Sequence, residues 1–544
     1  MGKNKLFSAM AAAIVGVAGM ANMSNAVNVN PDGSGQVLIY PYYTIDGGND
    51  TLISVVNTAN EVKAVKVRFH DSFNSREPLD FNLYLSPFDV WTGVVTRGAN
   101  DNGTQLPILF TADTSCTVPD IRTNPQLPQL ADGTRFVSFS AARMNSPAAA
   151  ARTGYLEMLE MGVVGNIPFN PGNNNDPRFE PALWATHVNG VPRDCQALVD
   201  AWANVPWTAG SGRGIWSGAS GAPAPYNLGS NTALSRPTGG LFGSGLVING
   251  STGRNVSYAA TALEGFNFVS PSGGMHRNPS DLLPNLGNYG EGAQQANVFV
   301  GGRLVQSTYG TAAVFRGAET VSAVLAAQNV VNEFAFSVGS SAFTTEWVVT
   351  FPTKRFHTDP GVIAPFSGSS AAAGFSCEPV RVRAFDREEY VFPFVQFSPG
   401  ATPALCGEVN VVNFEFLPPG VLPVQGVLPA LAGGATTVLG AREALAAGGP
   451  NRSLARIALP RPPSAPTTPI VAGWAEISFG AAASPAFRPS EAAVDGGAGD
   501  VWFGLPYVGF NVLGAGNTAG QISAFYAGAV PHRGQRRCEN AVGC

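Results

Sequence analysis

Hydrophobic and polar residues alternate with a period of two through residues 36–96, QVLIYPYYTIDGGNDTLISVVNTANEVKAVKVRFHDSFNSREPLDFNLYLSPFDVWTGVVT. Val65, Val67 and Phe69 alternate with Lys66, Arg68 and His70, and Leu79, Phe81, Leu83 and Leu85 with Asp80, Asn82 and Tyr84. That spacing predicts half-buried strands, with one face on a core and the other in water. Residues 46–49 (DGGN) and 71–75 (DSFNS) lie between the runs and supply side chains that tolerate turn geometry. Further strands are expected over 333–338, 347–351, 380–385, 409–416, 472–479 and 502–512.

Helical spacing is rare. The clearest case is 194–202, with Asp194 as cap after Pro192 and Cys195, Val199 and Trp202 on one stripe. A second is 319–328, with Val321, Val324 and Leu325 inward. Residues 205–255 and 417–470 are rich in Gly, Ala and Pro and read as long excursions. The expected fold is mainly β. It has two or more antiparallel β-sandwich lobes, immunoglobulin-like or jelly-roll-like, with long Gly/Pro/Ala-rich loops and a few short helices. The expected division is a signal peptide over 1–26, an N-terminal sandwich lobe over 27–204, a loop-rich insertion or lobe boundary over 205–290, and a C-terminal β-rich lobe over 291–544.

Composition sharpens that picture. Charged residues make up 13% of the 544, and 64 glycines and 42 prolines suit short strands joined by many turns. The 45% hydrophobic and 10% aromatic content is too apolar for a disordered chain. A net charge of −5 over this length gives no field that favours nucleic acid. Lys3 and Lys5, an apolar run over 7–19 and the small residues Ser24, Asn25 and Ala26 have the layout of a secretory signal peptide. No later apolar run is long enough to serve as a transmembrane anchor. The expected location is extracellular or on the surface of a Gram-negative bacterium.

An even set of cysteines in an exported chain reads as disulfides. Neighbour pairing is expected because short loops close most readily: Cys116 with Cys195, Cys377 with Cys406, Cys538 with Cys544. No zinc-type cysteine pair occurs in the sequence.

No catalytic motif stands out. The chain has no G-x-S-x-G elbow, no H-E-x-x-H and no phosphate-binding loop. Gly243, Ser244 and Gly245 read as a turn between strands. Glu157 and Glu160 fall on opposite faces of one strand, so they do not pair across one substrate. Two binding candidates remain. Lys354, Arg355 and His357 form a cationic loop suited to an anion or a glycan, with a solvated loop as the plainer reading. Asp46 and Asp50, with the similar turn carrying Asp495 and Asp500, offer oxygen ligands for calcium, with ordinary turns as the plainer reading. No other cofactor is expected. Tyr40, Tyr42, Tyr43, Trp91, Trp207 and Trp216 are candidates for sugar stacking or, more simply, for core and rim packing.

Several phrases resemble a group of exported proteobacterial proteins with no assigned activity. They are LIYPYYT (38–44), SREPLDFNLYLSPFDVWTG (75–93), GYLEMLEMG (154–162), HVNGVPRDC (187–195), EWVVTFPTKRFHTD (346–359), GLPYVGF (504–510) and HRGQRR (532–537). The resemblance implies an exported β-rich surface or matrix protein and transfers no catalytic residue. The expected function is therefore a non-enzymatic structural subunit that associates with itself into a layer or filament. The alternatives are a polysaccharide-binding adhesin, or a secreted hydrolase whose acids, such as Glu157, Glu160 or Asp89, meet about 5–9 Å apart in one cleft.

Overall fold

A computed structural model describes residues 26–98, 106–144, 148–166, 179–205, 213–217, 233–266, 275–288, 294–309, 316–337, 343–359, 364–368, 376–393, 395–398, 403–417, 428, 431, 434–442, 453–462, 470–479, 486–487, 500–517 and 524–539. Residues 1–25 of the expected signal peptide, Trp207, Asp495 and Cys544 lie outside the described residues. The chain is mainly β, with several antiparallel sheets and few, short helices.

Two sheets come from the N-terminal half. The first runs in the order Asn28–Val29, Thr261–Glu264, Val37–Thr44, Thr153–Val164, Val62–Asp71, Leu79–Leu85, Cys116–Val118. The second runs Arg254–Ala259, Leu241–Asn249, Asp50–Asn57, Val90–Arg97, Pro107–Phe110, Val137–Ser138. Two more come from the C-terminal half. The third is Asn329–Ser337, Ile470–Phe479, Cys377–Asp386, Ala404–Cys406. The fourth is Gln396–Ser398, Leu454–Leu459, Val409–Phe416, Phe343–Thr350, Val508–Asn517, Ala524–Pro531. Within the fourth, Val409–Phe416 and Leu454–Leu459 run parallel.

The fourth sheet serves both halves. Val348, Val409, Val411, Phe510 and Val512 join the large apolar cluster of the two N-terminal sheets. Trp347, Val349, Val412 and Phe414 join a second cluster with Val330, Phe334, Phe336 and Ile477 of the third sheet. Neighbouring residues of one strand thus enter different cores, as period-two geometry demands of a strand covered on both faces. This explains why 347–349 and 409–416 lack clean apolar–polar alternation.

The short helix Cys195–Ala201 has the expected cap: the Asp194 carboxylate accepts the Ala197 amide at 2.9 Å. Leu198 and Ala201 are buried in a satellite cluster with Trp202 and Trp216. The second helix is Arg316–Leu325, three residues earlier than its periodicity indicated. Two of the expected disulfides are formed, Cys116–Cys195 and Cys377–Cys406. The pairing expected for Cys538 falls on Cys544, outside the described residues.

Within the stretch 205–290, expected as a loop-rich insertion or lobe boundary, the strands Leu241–Asn249, Arg254–Ala259 and Thr261–Glu264 extend both N-terminal sheets. Two expectations are corrected. First, the polar face of Val62–Asp71 and Leu79–Leu85 does not meet water; every residue of both strands is buried. Second, Gly243 and Gly245 lie within a strand, not a turn. A Cβ at Gly243 would sit 2.0 Å from the Tyr40 hydroxyl, and one at Gly245 2.2 Å from the Tyr258 hydroxyl. These glycines make room for two buried tyrosines.

Candidate functional site

The buried polar face of the first sheet is where titratable groups converge. Register places Arg68 between Glu157 and Asp80, and His70 beside Tyr155. Lys66 Nζ pairs with Asp80 at 2.7 Å, and Arg143 reaches the same carboxylate. Arg68 contacts Glu77 and lies 3.7 Å from Glu157, which is 3.3 Å from His70 Nε2. The cover comes from 275–288. Lys66 donates to the Asn278 and Pro279 carbonyls at 2.9 and 2.8 Å, and Arg68 to the Pro284 carbonyl at 3.0 Å. Asn82 donates to the Arg277 carbonyl, and Tyr84 is hydrogen-bonded to His276 Nε2. Cations whose hydration is lost must be repaid by carboxylates and carbonyls, and here both are supplied.

The network continues into the C-terminal half, at the loop after Val62–Asp71. Arg355 donates to the Ser75 carbonyl at 2.9 Å, and the Tyr155 hydroxyl contacts Ser75 Oγ and the Pro352 carbonyl. The Glu408 and Val409 amides both donate to the Ser72 carbonyl. Burial pushes Lys66 down to about 8 and Arg68 down to about 10. Burial also lowers His70, against the pull of Glu157. It pushes Glu408 up to about 8, with Lys354 opposing.

Lys354, Arg355 and His357, read from sequence as a cationic loop, belong to this junction. They lie on a short helix, Lys354–Thr358. Lys354 and His357 are buried, while Arg355 is half-buried. Lys354 Nζ donates to the Ser376 and Gly407 carbonyls at 2.7 and 2.9 Å, and His357 Nε2 contacts Ser322 Oγ at 2.9 Å. Burial lowers the Lys354 ammonium and pushes His357 down to about 4. The group that resembled a ligand site is thus engaged with the protein's own backbone. The missed signal was its apolar context: Trp347, Val348, Val349 and Phe351 crowd the residues just before Pro352 and the lysine.

The aspartates expected at calcium turns have other partners. Asp46 is buried and paired with Arg152 at 2.7 Å and Arg442 at 3.7 Å. Asp50 accepts the Thr96 hydroxyl, and Asp500 accepts the Ser307 hydroxyl at 2.6 Å. No group of three or more His, Cys, Asp or Glu suited to a metal occurs among the described residues. Tyr40, Tyr42, Tyr43, Trp91 and Trp216 are all buried, so they pack the interior. Glu160 points away from Glu157. It pairs with Lys63 at 2.7 Å and accepts the Thr238 and Gly239 amides. Asp89 lies 3.5 Å from His187 and accepts the Ser86 amide, in a latch that also holds Thr114.

A different kind of feature lies at the border of the fourth sheet. Ala524–Pro531, AFYAGAVP, carries no charge and is hydrogen-bonded along one side to Val508–Asn517. Phe525, Ala527 and Ala529 pack inward, and Arg254 lies 5.0 Å over the Phe525 ring. Tyr526, Gly528 and Val530 face outward, with Tyr526 68% exposed. Among the described residues no second strand pairs with its other side. No helix of the described residues is long and apolar enough to cross a membrane. Comparison with protein-family models, curated proteins and solved structures finds no match to this chain.

Proposed function

We propose that this protein is an exported, non-enzymatic structural subunit of a bacterial cell surface or extracellular matrix, built of sandwich-like lobes and assembling with copies of itself. The observation that carries the reading is the uncharged border strand Ala524–Pro531. Free edges are templates for another strand, and monomeric proteins usually guard them with charges, bulges or a covering segment. Here Pro531 at the very end is the one such device within the strand. Pairing of this border with its own copy closes a dimer; pairing with a different border of the next copy leaves an open chain. Two disulfides fit an oxidising compartment and harden each unit. The N-terminal strand is used within its own chain, since Asn28–Val29 pairs with Thr261–Glu264.

The test is the state of assembly. The purified chain is expected to form ordered layers or filaments by negative-stain microscopy. Gly528→Lys places a charge on the outward face, where an added Cβ meets nothing within 4 Å. That variant is expected to abolish assembly while leaving fold stability within about 0.5 kcal/mol. A monodisperse monomer at high concentration, with and without calcium, overturns the proposal, as does a Gly528→Lys protein that assembles normally.

A further inference from the structure

The outer face of the third sheet carries a groove of about 790 Å³ that neither the buried junction nor the border strand uses. Its floor follows from strand register. Glu333, Trp474 and Phe385 stand side by side on three adjacent strands. On one side the next row is Val331, Glu476 and Arg383; on the other, Ala335 lies beside Ala472. The small pair leaves open space next to the indole. Gly473 permits close approach of the Cys377–Asp386 strand, since a Cβ there would lie 1.9 Å from the Phe385 carbonyl oxygen. The turn at 386–390 forms one wall, braced by the Asp386 carboxylate, which accepts the Glu388 and Tyr390 amides at 2.9 and 2.8 Å.

The lining has an unusual balance. Trp474 and Phe385 stack with ring centroids 4.4 Å apart and planes 11° apart, yet Trp474 stays 40% exposed. Arg383 lies 5.3 Å over Phe385 and is occupied with Glu476. By contrast, no hydrogen bond or ion pair to another described residue engages the Glu333 or Glu389 carboxylates, the Arg387 guanidinium or the Trp474 indole N–H. All four line the groove or its rim. Glu389 is held at φ +67°, a conformation that costs a non-glycine residue energy and recurs at ligand sites. A flat aromatic surface ringed by uncommitted donors and acceptors fits a molecule with one apolar face and many hydroxyls on its edge.

We infer that this groove binds a short stretch of a neutral or amino-bearing polysaccharide, with Trp474 stacking on a hexose ring and Glu333, Glu389 and Arg387 bonding its hydroxyls. Sign of charge selects the class. Glu333, Asp386 and Glu389 outnumber Arg387 in the lining, so uronic-acid and sulfated chains are repelled. A carboxylate accepts from two vicinal hydroxyls and a guanidinium donates to two, which fixes ring orientation. The inference does not depend on self-assembly through Ala524–Pro531.

The experiment uses the full mature chain in calorimetric titration with cellohexaose and chitohexaose, and polygalacturonate as the acidic control. Binding of at least one neutral or amino-sugar oligomer is expected, and which one tells plain from amino sugar. Trp474→Ala should weaken it about tenfold or more, equivalent to about 1.4 kcal/mol. Glu333→Gln, a surface change that keeps the fold, should weaken it by about threefold to tenfold. No binding to either oligomer at millimolar concentration overturns the inference. So does equal affinity of both variants and the parent, or preference for polygalacturonate.

Discussion

Arg68 shows how much one buried side chain organises. It has no contact with water, and its guanidinium faces Glu77, Glu157 and the Pro284 carbonyl at once. Arg68→Met is expected to lower unfolding free energy by roughly 3–5 kcal/mol, because it strands two carboxylates in a dry interior. Adding Glu157→Gln to that variant should recover part of the loss, and urea unfolding measures both. Glu408 makes a second residue-level prediction, in pH. Burial pushes its carboxyl up to about 8, above its unfolded value. Its neutral form therefore stabilises the fold at low pH, and that contribution is lost as pH rises through about 8. His357 and His532, both pushed down to about 4 by burial, act oppositely: their contribution is present above the ordinary imidazole range and lost as pH falls through about 4. Between about pH 6.5 and 8 Glu408 acts in the same direction as Glu160 and Glu346, carboxyls that burial also raises, and its own share is the difference made by Glu408→Gln. The urea midpoint of the parent should fall across that window, and Glu408→Gln should flatten the fall.

At the scale of strands and helices, the chain's period of two located the elements well. Val62–Asp71, Leu79–Leu85 and Asn329–Ser337 follow the alternation, and Asp194 caps its helix because a short acidic side chain before Cys195 suits that role in any context. What covers each face was not legible. Alternation reports where side chains point; it does not report that 275–288 arrives from about two hundred residues away to seal Lys66 and Arg68. Lys354 was misplaced for the same reason, since a cation followed by another cation looks solvated until its carbonyl partners at 376 and 407 are in view. The groove at Trp474 was equally invisible, because Glu333, Trp474 and Phe385 come together only through register. The border strand Ala524–Pro531 escaped for a subtler reason: none of its eight residues is charged, so no apolar–polar alternation sets its two faces apart.

On the scale of the molecule, the fourth sheet joins what the sequence divides into lobes, and the disulfides reinforce the periphery. Cys116–Cys195 ties the last strand of the first sheet to the helix Cys195–Ala201 across a separation of 79 residues. Replacing both cysteines with alanine is expected to lower stability by about 2–4 kcal/mol, read as a shift in urea midpoint, with the central sheets intact by far-ultraviolet circular dichroism. Glu346 gives the same lesson from within: its buried carboxylate accepts the Val438 and Leu439 amides, tethering a segment that otherwise has little regular structure.

The pairing of Asn28–Val29 with Thr261–Glu264, and of Val27 with Ala296, has a temporal implication. A ribosome releases residue 28 long before residue 264, 236 positions later. That early strand therefore waits for its partner until nearly half of the polypeptide has emerged. Until then its backbone donors and acceptors have only solvent or other parts of the nascent chain to bond.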